Sequence, residues 1–191
     1  AQTAQRVREY LETFAPDKLI TNLGGNGLAA VFNGKAPGPT VMLRAELDAL
    51  PIQEKNQSPY QSQFPNVSHK CGHDGHMTMV AGVAPFLQEN RPEQGRVVLL
   101  FQPAEETGQG AYEVLQDPQF DKIAPDMVFA LHNIPGEPLG KVLLKKGTFA
   151  AASAGMKVGL EGATAHAAHP HDGINPAFAM GDLVERFRSL E

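Results

Sequence analysis

The chain has 191 residues, 42% of them apolar and 19% charged, with a formal net charge of -5, which is room for one good-sized domain or one domain and part of another. No apolar run approaches the roughly 18 residues of a membrane span, and no basic stripe is laid out to neutralise phosphates, so a membrane or nucleic-acid partner is not expected. The single cysteine, Cys71, excludes an internal disulfide, and the first residues lack the basic and apolar regions of a signal peptide, which points to a cytoplasmic location.

Val7, Tyr10, Leu11 and Phe14 recur at helical spacing, so residues 4–14 read as an amphipathic helix. Gly24, Gly25 and Gly27 form a turn cluster; Leu28–Phe32 and Thr40–Ala45 are short apolar runs of strand type. Residues 53–70 are polar, contain proline and read as a long loop. Gly75–Glu89 has a helical face of Met79, Val83, Phe86 and Leu87. Val97–Phe101 follows as a strand, Gly110–Gln116 as a helix, Met127–Leu131 as a buried strand and Gly140–Lys146 as a further strand. Strands that alternate with helices and are continuously apolar predict an α/β fold with a mostly parallel sheet covered on both faces. After Gly147 the texture turns to Ala, Gly and Ser, with an alternating stretch at Met156–Leu160 read as an edge strand and a helix over Asn175–Leu190. A domain boundary is expected near residue 152, giving residues 1–152 and 153–191. The second piece is too short to bury a core alone.

The chemistry gathers where apolar runs end. TVMLRA leads into Glu46 and Asp48, VVLLFQPA into Glu105-Glu106, and MVFAL into His132-Asn133; Cys71, His73 and His76 lie just before or at the start of a helix. In parallel α/β sheets ligands bind beyond the carboxyl ends of strands. Cys71-Gly72-His73 offers a thiolate and an imidazole, donors suited to zinc, cobalt or nickel. Two adjacent carboxylates can divide the work, one binding metal and the other taking a proton from water. Each feature also has a plainer reading. Cys71 fits a buried apolar site, Glu105-Glu106 a solvated loop, and His132 a hydrogen-bonded core position. Asp48 fits a turn cap or an orienting group, and His166, His169 and His171 fit either ordinary loop polarity or a pH-sensitive surface. Their joint placement at strand ends argues for a site.

The segments LRAELDALPIQE (43–54), HKCGHDGHMTMV (69–80), FQPAEETGQGA (101–111), LHN (131–133) and GATAHAAHPHDGINP (162–176) resemble the M20 metallopeptidase family. The resemblance is to its amidohydrolase group of aminoacylases, hippurate hydrolases and auxin-conjugate hydrolases. It implies a zinc-peptidase-like catalytic domain with part of a small α+β lid or dimerisation domain. It implies hydrolysis of the amide bond of N-acyl amino acids, or else short peptides, with one or two divalent transition-metal ions (zinc, manganese, cobalt or nickel). Cys71, His73, Glu106 and His132 match the metal ligands and Glu105 the general base. Asp48 matches the carboxylate that orients a ligand, and His166 a lid histidine that steadies the oxyanion in a neighbouring subunit. A homodimer through the lid is implied.

Three departures accompany the resemblance. Glu46 stands where the family usually has Asp, the family's opening Arg/His/Pro-Glu-Leu segment is absent, and the chain stops at Glu191, inside the lid helix. The expectation is therefore a fragment, inactive or severely weakened by itself. A catalytically silent homologue that binds metal or a partner is the alternative. A cysteine nucleophile would leave Glu105-Glu106 without a role, and a zinc deaminase needs more than one cysteine.

Overall fold

The structure, a computed structural model, describes residues 2–150, 152 and 155–189. Contacts divide the chain into two compact units, residues 1–137 and 138–191, ahead of the change of texture near residue 152. Residue 153 and Leu190, at the expected edges of the second piece, lie outside the described residues.

The first unit is a five-stranded mixed sheet in the order β1-β2-β4-β3-β5, with β1 Lys18–Leu23, β2 Gly27–Asn33, β3 Ala36–Glu46, β4 Gln94–Gln102 and β5 Met127–Ala130. β3 runs parallel to both β4 and β5, while β1–β2 and β2–β4 are antiparallel. Helices cover both faces. α1 (Gln2–Glu12), α2 (His73–Ala81) and α3 (Val83–Glu89) pack against Leu28, Phe32, Leu99 and Phe101; α4 (Gly110–Gln116) packs Val114 with Ala29, Val31, Val98 and Leu100 on the other face. Successive residues of β2 and β4 therefore point into different cores, and both strands are apolar nearly throughout because both faces are buried.

β1 was not visible as a strand. Its buried residues are Ile20 and Leu23, three apart, because a register shift between Thr21 and Leu23 breaks the alternation, with Asn22 in the left-handed region at φ 60°. The helix expected over Gly75–Glu89 begins at His73 and is two helices, α2 and α3, parted at Gly82. Pro85, which has no N–H to give the preceding turn, stands at the third residue of α3.

Met127–Leu131, expected as a buried strand, forms β5, but its residues are exposed: among the described residues it is the outer strand and pairs with β3 alone. The strands expected at Gly140–Lys146 and Met156–Leu160 are irregular backbone. Neither finds a partner ladder among the described residues, and β-propensity without a partner does not hold a strand. Among its described residues, the second unit has a bridge between Ala163 and Ile174, a 3-10 turn at Pro170–Asp172 and α5 (Pro176–Arg188). Asn175 caps α5, its side chain accepting from the Ala177 N–H, and Pro176 opens it. Phe178, Val184 and Phe187 of α5 are exposed.

The chain leaves β3 for helices on one face and leaves the neighbouring parallel strand β4 for α4 on the other. Adjacent strands whose exits diverge open a crevice at their carboxyl ends. Glu46, Asp48 and Glu105-Glu106 lie at that end, and β5, parallel to β3, brings its own exit, His132, to the same edge.

Candidate metal centre

Cys71 and His73 flank Gly72, which caps the start of α2 with φ 96°. A side chain there would be strained by the backbone and would run into Asn133 Oδ1, so the turn needs glycine. The preceding loop is pinned by a bridge between Leu50 and Ser68 and by the Lys70–Glu54 ion pair at 2.6 Å, with the Ser62 N–H donating to Glu54. On the β4 side, Ala104 takes φ 50°, a conformation that costs a non-glycine residue about 1 kcal/mol. The turn closes with the Gly108 and Gly110 N–H groups donating to the carbonyls of Glu105 and Ala104.

The side chains converge. His73 is buried, and its Nδ1 donates to the backbone carbonyl of Asp48 at 2.9 Å. That fixes the lone pair on Nε2, which has no hydrogen-bond partner and lies 3.6 Å from Glu105 Oε2 and 3.8 Å from Glu106 Oε1. Asp48 Oδ2 accepts from the Glu106 N–H at 3.0 Å, spanning the β3–β4 crevice, and its buried Oδ1 has no hydrogen-bond partner and lies 3.5 Å from His73 Nδ1. His132 Nδ1 donates to the Asn133 carbonyl, turning Nε2 toward Cys71 Sγ at 3.5 Å.

These spacings suit an interposed ion. Tetrahedral coordination at about 2.3 Å to sulfur and about 2.0 Å to nitrogen puts the two donors about 3.5 Å apart. Two of the donor groups whose atoms lie within 4.8 Å of one another, Cys71–His73–His132 and His73–Glu105–Glu106, share His73. The donor set, soft thiolate with imidazole and carboxylate, fits a divalent transition-metal ion. Burial, reinforced by the charges of Glu106 and Glu105, pushes the Cys71 thiol up to about 11, as expected for a ligand surrounded by anions.

Cys71, His73, Glu105, Glu106, His132 and Asp48 thus lie together. His166, in the other unit, lines a shallow cavity of about 300 Å³ with Ala163, Pro170 and Ile174, its Nδ1 accepting from the Ala168 N–H. Sequence reasoning gave no part to Glu46 and His76, both buried and bonded to each other at 2.9 Å. The available signal was a charged residue closing an apolar strand and a histidine one helical turn beyond His73.

The family model described as peptidase family M20/M25/M40 matches residues 42–189. The chain belongs to this family. It is 44% identical over 165 residues to the N-acetyl-L-cysteine deacetylase of Bacillus subtilis (strain 168), covering 86% of this chain and 39% of that one. It is 33% identical over 189 residues to the N-acetyldiaminopimelate deacetylase of Priestia megaterium, covering 99% of this chain and 50% of the relative. Among solved structures, the Bacillus subtilis YXEP protein, described as a dinuclear metal binding peptidase from the M20 family, aligns with a TM-score of 0.65 at 34% identity, over 72% of this chain and 38% of that one. The M20 chain described here spans half or less of the length of these relatives. No helix among its described residues is long and apolar enough to cross a membrane.

Proposed function

We propose that the protein is a metal-dependent amidohydrolase that cleaves N-acyl amino acids. The observation that carries this reading is the buried, unpartnered Nε2 of His73, facing Glu105 and Glu106 and grouped with Cys71 and His132. A buried imidazole nitrogen without a hydrogen-bond partner is costly unless water or a cation takes its lone pair, and the carboxylates and thiol grouped around this one favour a cation. Cys71, His73, Glu106 and His132 would hold one or two divalent ions such as zinc, manganese, cobalt or nickel. When bound, such an ion polarises the scissile carbonyl and acidifies water.

Glu105 takes the proton from the attacking water and delivers it to the leaving amine. With its side chain 40% exposed, it is the more open of the two carboxylates, at 40% against 23% for Glu106, as a group that exchanges protons with substrate should be. Asp48 positions both halves of the site, His73 through its carbonyl and Glu106 through its carboxylate. His166 steadies the oxyanion, and residues 153–191 belong to a lid through which the whole protein dimerises; both of these assignments rest on the family resemblance. Two relatives named for deacetylating N-acetylated amino acids support the substrate class.

The test is elemental analysis of the purified chain and of Cys71→Ala after incubation with zinc or manganese, followed by hydrolysis of an N-acetyl amino acid by the whole protein with and without chelator. About one or more ions per chain, lost in Cys71→Ala, is the expected result. Wild-type protein free of metal would overturn the reading. Metal with turnover that persists unchanged in Glu105→Gln would remove Glu105 as base.

A further inference from the structure

Glu46 and His76 are among the few charged or polar side chains buried in the first unit, at 3% and 1% exposure. They link into a chain. Arg44 pairs with Glu46 Oε1 and also donates to Gln102 Oε1, from Nε at 3.0 Å and Nη2 at 2.8 Å. His76 Nδ1 donates to Glu46 Oε2 at 2.9 Å. His76 Nε2 lies 2.7 Å from Asn133 Oδ1 and 3.1 Å from the Asn133 backbone nitrogen. Asn133 Oδ1 in turn fills the space over Gly72 that a side chain there would need.

This chain runs from the floor of the sheet to the two segments that carry Cys71, His73 and His132. Glu46, His73 and His76 also present donors within 4.8 Å of one another. However, both Glu46 oxygens and both His76 nitrogens already have protein partners at hydrogen-bond distance, whereas His73 Nε2 has none that close. The group is therefore spoken for internally and does not form a second cation site. Nor is it explained by stability alone, since buried ion pairs are commonly no more stabilising than apolar residues of the same size. What it does is fix the exit of β5 against the Cys71-Gly72-His73 turn. It gives His132, which follows an outer strand with exposed residues, a tie beyond the ladder of β5 with β3.

We propose that Glu46, His76 and Asn133 are positioning residues that set His132 at its distance from Cys71. The inference rests on the metal-centre reading above. Outer groups of this kind alter metal affinity by roughly 10- to 100-fold.

The experiment is cobalt(II) titration of the whole chain, followed by the thiolate-to-cobalt charge-transfer band in the near ultraviolet and the ligand-field bands in the visible. Wild-type protein that takes no cobalt would overturn the metal centre itself and, with it, this inference. If wild type binds, Asn133→Ala and His76→Phe should each weaken cobalt binding by roughly 10- to 100-fold. The charge-transfer band should persist, since Cys71 still ligates, while the ligand-field bands change as His132 shifts. His76→Gln, which can still donate to Glu46, should recover part of the affinity. Asn133 is exposed, so Asn133→Ala remains decisive where His76→Phe does not fold, as judged by circular dichroism. Folded Asn133→Ala with wild-type affinity and an unchanged visible spectrum would overturn the positioning role while leaving the metal centre intact.

Discussion

The Nδ1 of His73 and the backbone carbonyl of Asp48, 2.9 Å apart, tie the first residue of α2 to the segment leaving β3. A carbonyl can only accept, so His73 carries its proton on Nδ1 and offers Nε2 to the crevice. The same Asp48 holds the Glu106 N–H through Oδ2 at 3.0 Å. One residue thereby sets the spacing between an imidazole and a carboxylate that come from different parts of the chain.

Asp48→Ala keeps the carbonyl but frees the Glu106 backbone and removes the carboxylate near His73. Zinc affinity is expected to fall by roughly 10- to 100-fold while the fold persists. Competition with a chromogenic chelator measures the fall; affinity equal to wild type would show that the carboxylate positions nothing.

Metal binding should be proton-coupled through Cys71. Its thiol is pushed up to about 11 by burial and by Glu106 and Glu105, so it is protonated at neutral pH and must release that proton to ligate. Affinity is therefore expected to rise about tenfold per pH unit from about pH 7 to 9, above the histidine range near 6.5. Cys71→Ala should bind far more weakly and without that slope. Calorimetry in buffers of different ionisation enthalpy checks the count; release of no proton at pH 7.5 would contradict the assignment of Cys71 as a thiolate ligand.

Gly72→Ala strains a left-handed backbone and drives a methyl into Asn133 Oδ1. A loss of about 1–3 kcal/mol is expected, together with weaker metal binding because both flanking donors move. Urea unfolding of the metal-free proteins isolates the first effect. An unchanged midpoint would mean that the turn tolerates the methyl by moving Asn133.

The sequence was legible where local pattern and tertiary environment agree. Val97–Phe101 and Gly110–Gln116 are apolar or periodic, and both are regular elements in the structure. Glu105, Glu106 and His132 followed from one rule about strand ends, which the parallel trio β3, β4 and β5 satisfies, whereas Cys71 and His73, at the start of α2, were legible from their donor chemistry. What stayed hidden depends on pairing. β1 is hidden by its bulge, and Gly140–Lys146 has strand-forming residues but no ladder among the described residues. Glu46 and His76 are far apart in sequence, and only the fold shows that each satisfies the other.

The Glu46 link also has a pH signature. Burial alone would push the Glu46 carboxyl up, but the His76 hydrogen bond and the Arg44 charge outweigh it, and the carboxyl sits below its ordinary value. A carboxyl depressed on folding binds its proton more tightly in the unfolded chain. Its contribution to stability is therefore fully present above the unfolded value, near 4.3, and is lost as pH falls through the lower folded value. Glu46→Gln removes that contribution and leaves Arg44 without its carboxylate, so it should cost about 3 kcal/mol at pH 7. The gap between wild type and Glu46→Gln should hold from pH 7 to about 5 and narrow below about 4.3. Urea unfolding of the metal-free proteins at intervals down to pH 3.5 would trace it. A gap that stays constant over that range would mean that the carboxyl does not titrate with folding, and that Arg44 and His76 do not hold it in its charged form.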